Sequence, residues 1–262
     1  MMRPTLWISV GLLGGCRVVQ APETIEELVV FGFQHFDDED EDALREMEEN
    51  LGPLVVENID QMTEGYAVNQ LTAEDLALAG VNDADVTEII GAMGSIDYRH
   101  DLDTILDPMI HDHKDELFPD NWLVYNITEQ TDRACFIAGE CPRYDFTVDQ
   151  TANASMLGEA TQTLRHSLRW IAREDGTPFI VWRTLAPDPI SFTSNLMAVH
   201  QQYALVTLVP NGDVARRIEA FWVDAEFIGM DVPEYTAVNN AVKQMGLQAE
   251  RIDDFLEGEA SP

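Results

Sequence analysis

The stretch QQYALVTLVPNGDVARRIEAFWVDAEFIG (Gln201–Gly229) decides how the rest of the chain is read. Two apolar runs flank Asn211-Gly212, and Asn-Gly suits the type I′ turn whose twist matches that of paired strands. A β-hairpin is expected here. The segment after the hairpin has another period. In PEYTAVNNAVKQMGLQAERIDDFLEG, Tyr235, Val238, Val242, Met245, Ala249, Ile252 and Leu256 recur at three- and four-residue steps, which describes a long amphipathic helix.

Upstream of the hairpin, period two persists back to Asn121. NWLVYNITEQ reads as a strand, and YDFTVDQT places Tyr144, Phe146 and Val148 on one face. TLRHSLRWI alternates Leu164, His166, Leu168 and Trp170 with Arg165, Ser167 and Arg169, and the turn REDGTP joins it to FIVWRTLAP.

Residues 37–118 have a helical grammar. DDEDEDALREMEENLG carries acids at a helix start, where they suit the macrodipole, and Leu44, Met47 and Leu51 form an apolar face. Its D-x-D-x-D opening and Glu49 are superficially those of a calcium loop, but an EF-hand needs glycine at the sixth position and Ala43 and Leu44 sit there, so a solvated, capped helix start is the expectation. In LTAEDLALAGV, Thr72 is the expected N-cap, Asp75 completes a capping box and Gly80 ends the helix. NDADVTEIIGAMG is expected to be a second helix, with Val86, Ile89, Ile90 and Met93 on one face. DYRHDLDTILDPMIHDHKDELF continues helical, with Pro108 marking a kink or a start. Before this segment, IEELVVFGFQHF (Ile25–Phe36) is β-branched and aromatic and reads as a buried strand.

The expected fold is α+β: an N-terminal strand and helical segment (37–118), then an antiparallel curved sheet and a closing helix (121–256), in one domain over 25–258. That order resembles the START-like helix-grip fold, in which a sheet wraps a C-terminal helix and encloses a cavity. The resemblance implies a pocket for a small hydrophobic ligand. Trp170, Trp182, Tyr203, Trp222 and His166 are the candidate lining residues, since such pockets are walled by aromatic and apolar groups. Phe221 is an aromatic of the same region.

The opening of the chain speaks to compartment. After Arg3, the apolar run Leu6–Leu13 lasts about eight residues, against roughly 20 needed to cross a bilayer. A positive start, a short apolar core and small residues before a cut site describe a secretory signal. Leu13-Gly14-Gly15-Cys16 resembles the lipobox of bacterial lipoproteins. That resemblance implies a signal peptide over 1–15, a diacylglyceryl group on the Cys16 thiol, acylation of its amine, and a tether over 16–24. Arg17 is not the aspartate of inner-membrane retention, so the expected location is the cell envelope, held at the outer membrane. ELFPDNW, GECPRYDFTVDQTA and the acidity are also similar to uncharacterised lipoproteins of myxobacteria, a likeness that implies no activity.

With Cys16 lipidated, Cys135 and Cys141 remain in CFIAGEC. An exported chain lives where disulfides persist, and Gly139 permits the tight turn. Two free thiols, or half of a metal site, are the alternatives.

A net charge of −33 excludes a basic footprint for nucleic acid, and 45% hydrophobic residues exclude a disordered chain. There is no G-x-S-x-G, no phosphate-binding glycine loop and no H-E-x-x-H, so no catalytic residue and no cofactor is implied. The cluster around His100, Asp101, Asp103, His111, Asp112, His113, Asp115 and Glu116 has the donor types of a transition-metal site. His111, His113 and Asp115 are its candidate ligands. On a straight helix they would point to different sides, so a bend would have to gather them. Besides ligand binding, two other functions are open. One is a structural lipoprotein presenting an acidic face to a partner or cations. The other is a helix-grip hydrolase or cyclase using His166 with Asp224 or Glu226.

Overall fold

The computed structural model describes residues 20–258, apart from 83, 155–157 and 229–233. The expected signal peptide and Cys16 lie outside the described residues. The elements run α1 (Ile25–Gln34), α2 (Asp42–Glu57), α3 (Ile59–Glu64), β1 (Tyr66–Ala67), α4 (Ala73–Leu78), β2 (Ile90–Asp97), α5 (Leu102–Met109) and α6 (Lys114–Leu117). They continue with β3 (Trp122–Glu129), α7 (Arg133–Ile137), β4 (Arg143–Asn153), β5 (Glu159–Ala172), β6 (Pro178–Ala186), β7 (Ser191–Phe192), β8 (Met197–Asn211), β9 (Val214–Phe227) and α8 (Glu234–Leu256). The strands form one antiparallel sheet ordered β1-β2-β9-β8-β6-β5-β4-β3, with β7 beside β5.

Both faces of the sheet are covered. On the outer face, α1 to α4 bury a core with Val181, Leu185, Leu205, Ile218 and Trp222. On the inner face, α5, α7 and α8 close over Phe146, Leu168, Ile180, Trp182, Val206 and Leu208. The fold is α+β with a helix gripped by an antiparallel sheet, plus an outer helical layer.

Close approach of α8 is written into β2, whose inner face reads Ala92, Gly94, Ile96. A Cβ on Gly94 would come within 2.8 Å of the Met245 methyl and 3.0 Å of Val242. The far end of α8 is tied down by Asp253, whose carboxylate accepts the Arg99 N–H at 3.1 Å, and by the Arg99–Asp254 ion pair at 2.6 Å.

Two expected elements are of the other type. Ile25–Phe36 is helix α1 and its following turn, not a strand. Its buried positions are Ile25, Leu28, Val29, Phe31, Gly32, Phe33 and Phe36, which recur at three- and four-residue steps along a helix, a period that the β-branched composition disguises. The helix expected in NDADVTEIIGAMG is instead a loop leading into β2. Gly91 and Gly94 weaken a helix, and β9 offers a full ladder from Ile90↔Val223 to Asp97↔Arg216.

Other elements agree closely. Thr72 and Asp75 form a capping box at α4, and Gly80 follows with φ of 76°. The β8–β9 hairpin pairs Asn211 with Val214, so its two loop residues are Gly212 and Asp213, one step later than expected. Gly212 supplies the positive φ, 67°. The segment 97–118 splits at Ile110–His113 into α5 and α6, with Pro108 in the last turn of α5. No described helix is long and apolar enough to cross a membrane.

Candidate ligand site on the inner face

Alternation along each strand decides which side chains meet. Register pairs His166 with Thr184 and Leu168 with Trp182, so His166, Trp170 and Trp182 all belong to the inner face. Tyr203 and Trp222 have the opposite parity. Trp222 is fully buried, stacks edge-on to Phe33 at 5.5 Å and donates its indole N–H to the Asn69 carbonyl at 2.8 Å. Tyr203 donates to Gln201 Oε1 at 2.8 Å. These two rings fill the core under the outer helices and do not share the space of the other three candidates. Trp170 is tied to α7, donating to the Phe136 carbonyl at 2.8 Å. Phe221 pairs with Ala92 and Ala204 on the inner face.

His166 is the best-defined polar group of this face. Trp182 Nε1, which can only donate, lies 3.0 Å from its Nδ1, and Thr184 Oγ1 lies 2.9 Å from the same atom. Nδ1 is therefore an acceptor and Nε2 carries the proton. Burial, and then the charge of Lys114, push the imidazole down to about 3. A neutral ring with its lone pair already used is a fixed donor, not a general base. Asp224 has outer-face parity, and Gln201 Nε2 donates to it at 3.4 Å. The pairing of His166 with Asp224 or Glu226 required by a hydrolase is therefore not assembled.

Around His166 the inner face carries charges that the pattern of apolar residues does not announce. Lys114 opens α6 and turns its ammonium inward, 5.4 Å from the centre of the Tyr125 ring. Burial and the nearby Arg217 hold it at about 7. Arg217 and Glu219, two apart on β9, form an ion pair at 2.6 Å. The Tyr98 hydroxyl and Arg217 Nε are buried without a hydrogen-bond partner among the described residues. Burial raises the Tyr98 phenol, opposed by the Arg217 guanidinium beside it. One clue in the sequence was available: in a strand, adjacent Arg216-Arg217 must send one charge to each face. Arg216 goes outward to Asp97 at 2.7 Å. At the rim, a cleft of about 230 Å³ lies between the end of α6 and α8, lined by Leu117, Phe118, Asn121, Arg251 and Asp254.

The other candidates stand apart from this site. Cys135 and Cys141 are joined by a disulfide with a Cα–Cα distance of 5.3 Å, and Gly139 between them has φ of 70°. His111, His113 and Asp115 do not converge. The His113 backbone N–H donates to His111 Nδ1 at 3.1 Å, which occupies a lone pair a metal would need. No group of three metal-type side chains is arranged for an ion among the described residues. A second cleft, of about 710 Å³, is lined by Asp85, Glu88, His200, Asp224 and Glu226 on the outer side.

No known protein family matches the sequence, and no curated protein does. Among solved structures, the chain is similar to a STAR-related lipid transfer protein from Xanthomonas axonopodis, with 13% identity, 66% of this chain and 96% of that one covered, and a TM-score of 0.41. A START superfamily protein from Mycobacterium smegmatis matches at 10% identity, covering 65% and 99%, with a TM-score of 0.38. Norcoclaurine synthase from Thalictrum flavum matches at 12%, covering 66% and 97%, with a TM-score of 0.36.

Proposed function

We propose that the chain is a lipid-anchored binding protein that holds a small, largely apolar molecule between the inner face of the sheet and α5, α6 and α8. The observation that carries this reading is the make-up of that face. Aromatic and aliphatic walls surround a few inward polar groups, and two of these, the Tyr98 hydroxyl and Arg217 Nε, have no partner among the described residues. Ligand sites have this composition, since apolar walls give affinity and a few polar groups fix orientation. Buried polar groups are hydrogen-bonded as a rule, so a donor left without a partner on an apolar face calls for an explanation, and a ligand's polar head is one.

Native mass spectrometry of the protein purified from its own host tests the reading. A small molecule that leaves on denaturation is expected; an apo mass alone, together with no uptake of added amphiphiles, would remove it. The anchor is part of the proposal and rests on Leu13-Gly14-Gly15-Cys16. Labelled palmitate should be incorporated by the wild type and not by Cys16→Ser.

The acid-lined cleft at Asp85, Glu88, Asp224 and Glu226 supports a different role, a surface offered to a cationic partner. An unaltered ligand-free mass together with capture of a basic protein would favour it.

A further inference from the structure

The sheet ends on β3, and no described strand pairs with its other side. Which backbone groups face that side follows from the ladder. The Gln130 N–H donates to the Asp145 carbonyl at 3.0 Å, and β3 and β4 keep one register from Val124↔Thr151 to Glu129↔Phe146. Bonded and non-bonded pairs alternate along an antiparallel ladder, so Val124, Asn126 and Thr128 turn their N–H and C=O groups to β4. Tyr125, Ile127 and Glu129 turn theirs away from the sheet. Their donors and acceptors make an open edge.

Natural sheet edges are protected by charge, lysine, proline, brevity or a cover. At the opposite end of the sheet, β1 is only 2 residues long. β3 is 8 residues long and contains neither lysine nor proline. In a chain of net charge −33, residues 121–128 carry no charge, and Asp120 and Glu129 bound them. The backbone irregularity between Trp122 and Val124 confines regular pairing to Val124 and beyond. Leu123 and Val124 are also large apolar side chains at the surface, 48% and 40% exposed.

The outward groups select their own partner. They lie symmetrically about Ile127, so a second β3 laid antiparallel, with Ile127 opposite its copy, satisfies every one of them. Sliding the copy one way drives Glu129 against Leu123, at the irregularity. Sliding it the other way carries Tyr125 past the end of the strand. In the symmetric register Tyr125 faces Glu129, Val124 faces Gln130, and Asn126 faces Thr128, so no like charges are opposed. We propose that the chain forms a two-fold dimer through β3, with Ile127 on the axis and the two sheets joined edge to edge. The contact is self-complementary and closed, so assembly stops at two. It is separate from the inner face and does not rest on the ligand reading. One strand against another buries less than a standard interface, so the dimer is a weak one, with a micromolar dissociation constant.

Sedimentation velocity of the full chain over a concentration series should show a monomer–dimer equilibrium. Hydrogen exchange resolved by residue should show the Tyr125, Ile127 and Glu129 N–H groups gaining protection as concentration rises, while those of Asn126 and Thr128 are protected throughout. This measurement uses the wild type alone. Asn126→Lys/Thr128→Lys opposes lysine to lysine on both sides of the axis and should weaken dimerisation about tenfold, although it makes the chain less negative. Asn126→Lys/Thr128→Glu opposes lysine to glutamate and should dimerise at least as tightly as the wild type. Both positions are exposed, and near-UV circular dichroism checks that each variant is folded. A monomer at every concentration would overturn the proposal, whether the edge N–H groups exchange freely or another segment already protects them. So would a dimer that the lysine pair leaves intact, because its contact would lie elsewhere.

Discussion

Arg183 on β6 and Asp37, just beyond α1, form an ion pair that fastens the outer helices to the sheet across 146 residues of sequence. The guanidinium is only 5% exposed and lies 4.4 Å from the centre of the Phe36 ring. Arg143 reaches the other oxygen of Asp37 at 2.8 Å. Burial opposes the charge on Asp37, but Arg183 and then Arg143 outweigh it and hold the carboxyl below its usual range.

Removing Asp37 should therefore cost more than the pair contributes. Asp37→Asn leaves Arg183 buried without its anion; because Asp37 itself is 40% exposed and water can partly take its place, the expected cost is about 1–2 kcal/mol, less than for a fully buried pair. Because the folded-state pKa is depressed, Asp37 stabilises the protein above the ordinary carboxylate value of 3.8, and that contribution fades as pH falls below it. Urea unfolding of the variant at neutral pH, with hydrogen exchange across α1, measures both the size and the place of the loss. Unchanged α1 protection would refute the fastening role.

Gly94 makes a second, local prediction. Gly94→Val places a branched side chain where Val242 and Met245 already sit, and overpacking of this kind costs about 1–3 kcal/mol. Faster amide exchange in α8 should accompany the loss, while the β8–β9 hairpin keeps its protection.

His166 should behave as a histidine that resists protonation. Its folded-state value of about 3 lies well below the ordinary 6.5. Stability attributable to it is full above 6.5 and is lost as pH falls from there toward 3. An NMR titration should show its ring still neutral at pH 5, with Nε2 protonated; a midpoint near 6.5 would contradict the buried geometry.

Lys114 acts on the alkaline side. Held at about 7 against an ordinary 10.5, it binds fewer protons in the folded state than in the unfolded chain between those values. Stability of the unliganded protein should rise with pH from about 7 toward 10. Lys114→Met should flatten that slope.

The disulfide is a modest staple. Cys135 and Cys141 close a loop with a sequence separation of 6, so their replacement by serine should cost about 2 kcal/mol. The loss should be confined largely to α7, where the Glu140 and Cys141 N–H groups donate to the Cys135 carbonyl. Thermal melting and exchange at Phe136 report it.

Local chemistry made some of this fold legible in advance. The capping box at Thr72, the alternation around His166 and the three- and four-residue steps of α8 all act over a few residues and survive in the structure. What misled was composition read without period. Val29, Val30 and Phe31 look like strand residues, yet the burial of Leu28, Gly32 and Phe36 follows a helix. Ile89-Ile90 looks helical, yet β9 recruits it from more than 120 positions away. The inner site was half legible for the same reason. Aromatic side chains nominated Trp182 and Trp222 alike, and only strand parity separates them. Lys114 and Arg217 carry no local mark, because the face each meets is set by how α6 packs on β3 and by the register of β9 against β2.

The seam between β2 and β9 has a kinetic consequence. The Asp97–Arg216 contact spans 119 residues, and the α8 contacts at Gly94 and the Trp222 contact at Gly91 wait on the same strand. Closing so long a loop is entropically costly before any contact compensates it, and such pairings slow folding. Strands β3 to β9, linked by short connections, can assemble beforehand as a nearly complete sheet in which β9 is an unpaired edge in addition to β3. Docking of β2 then joins all three layers in one late step, and until it occurs that edge is the most aggregation-prone surface the nascent protein presents.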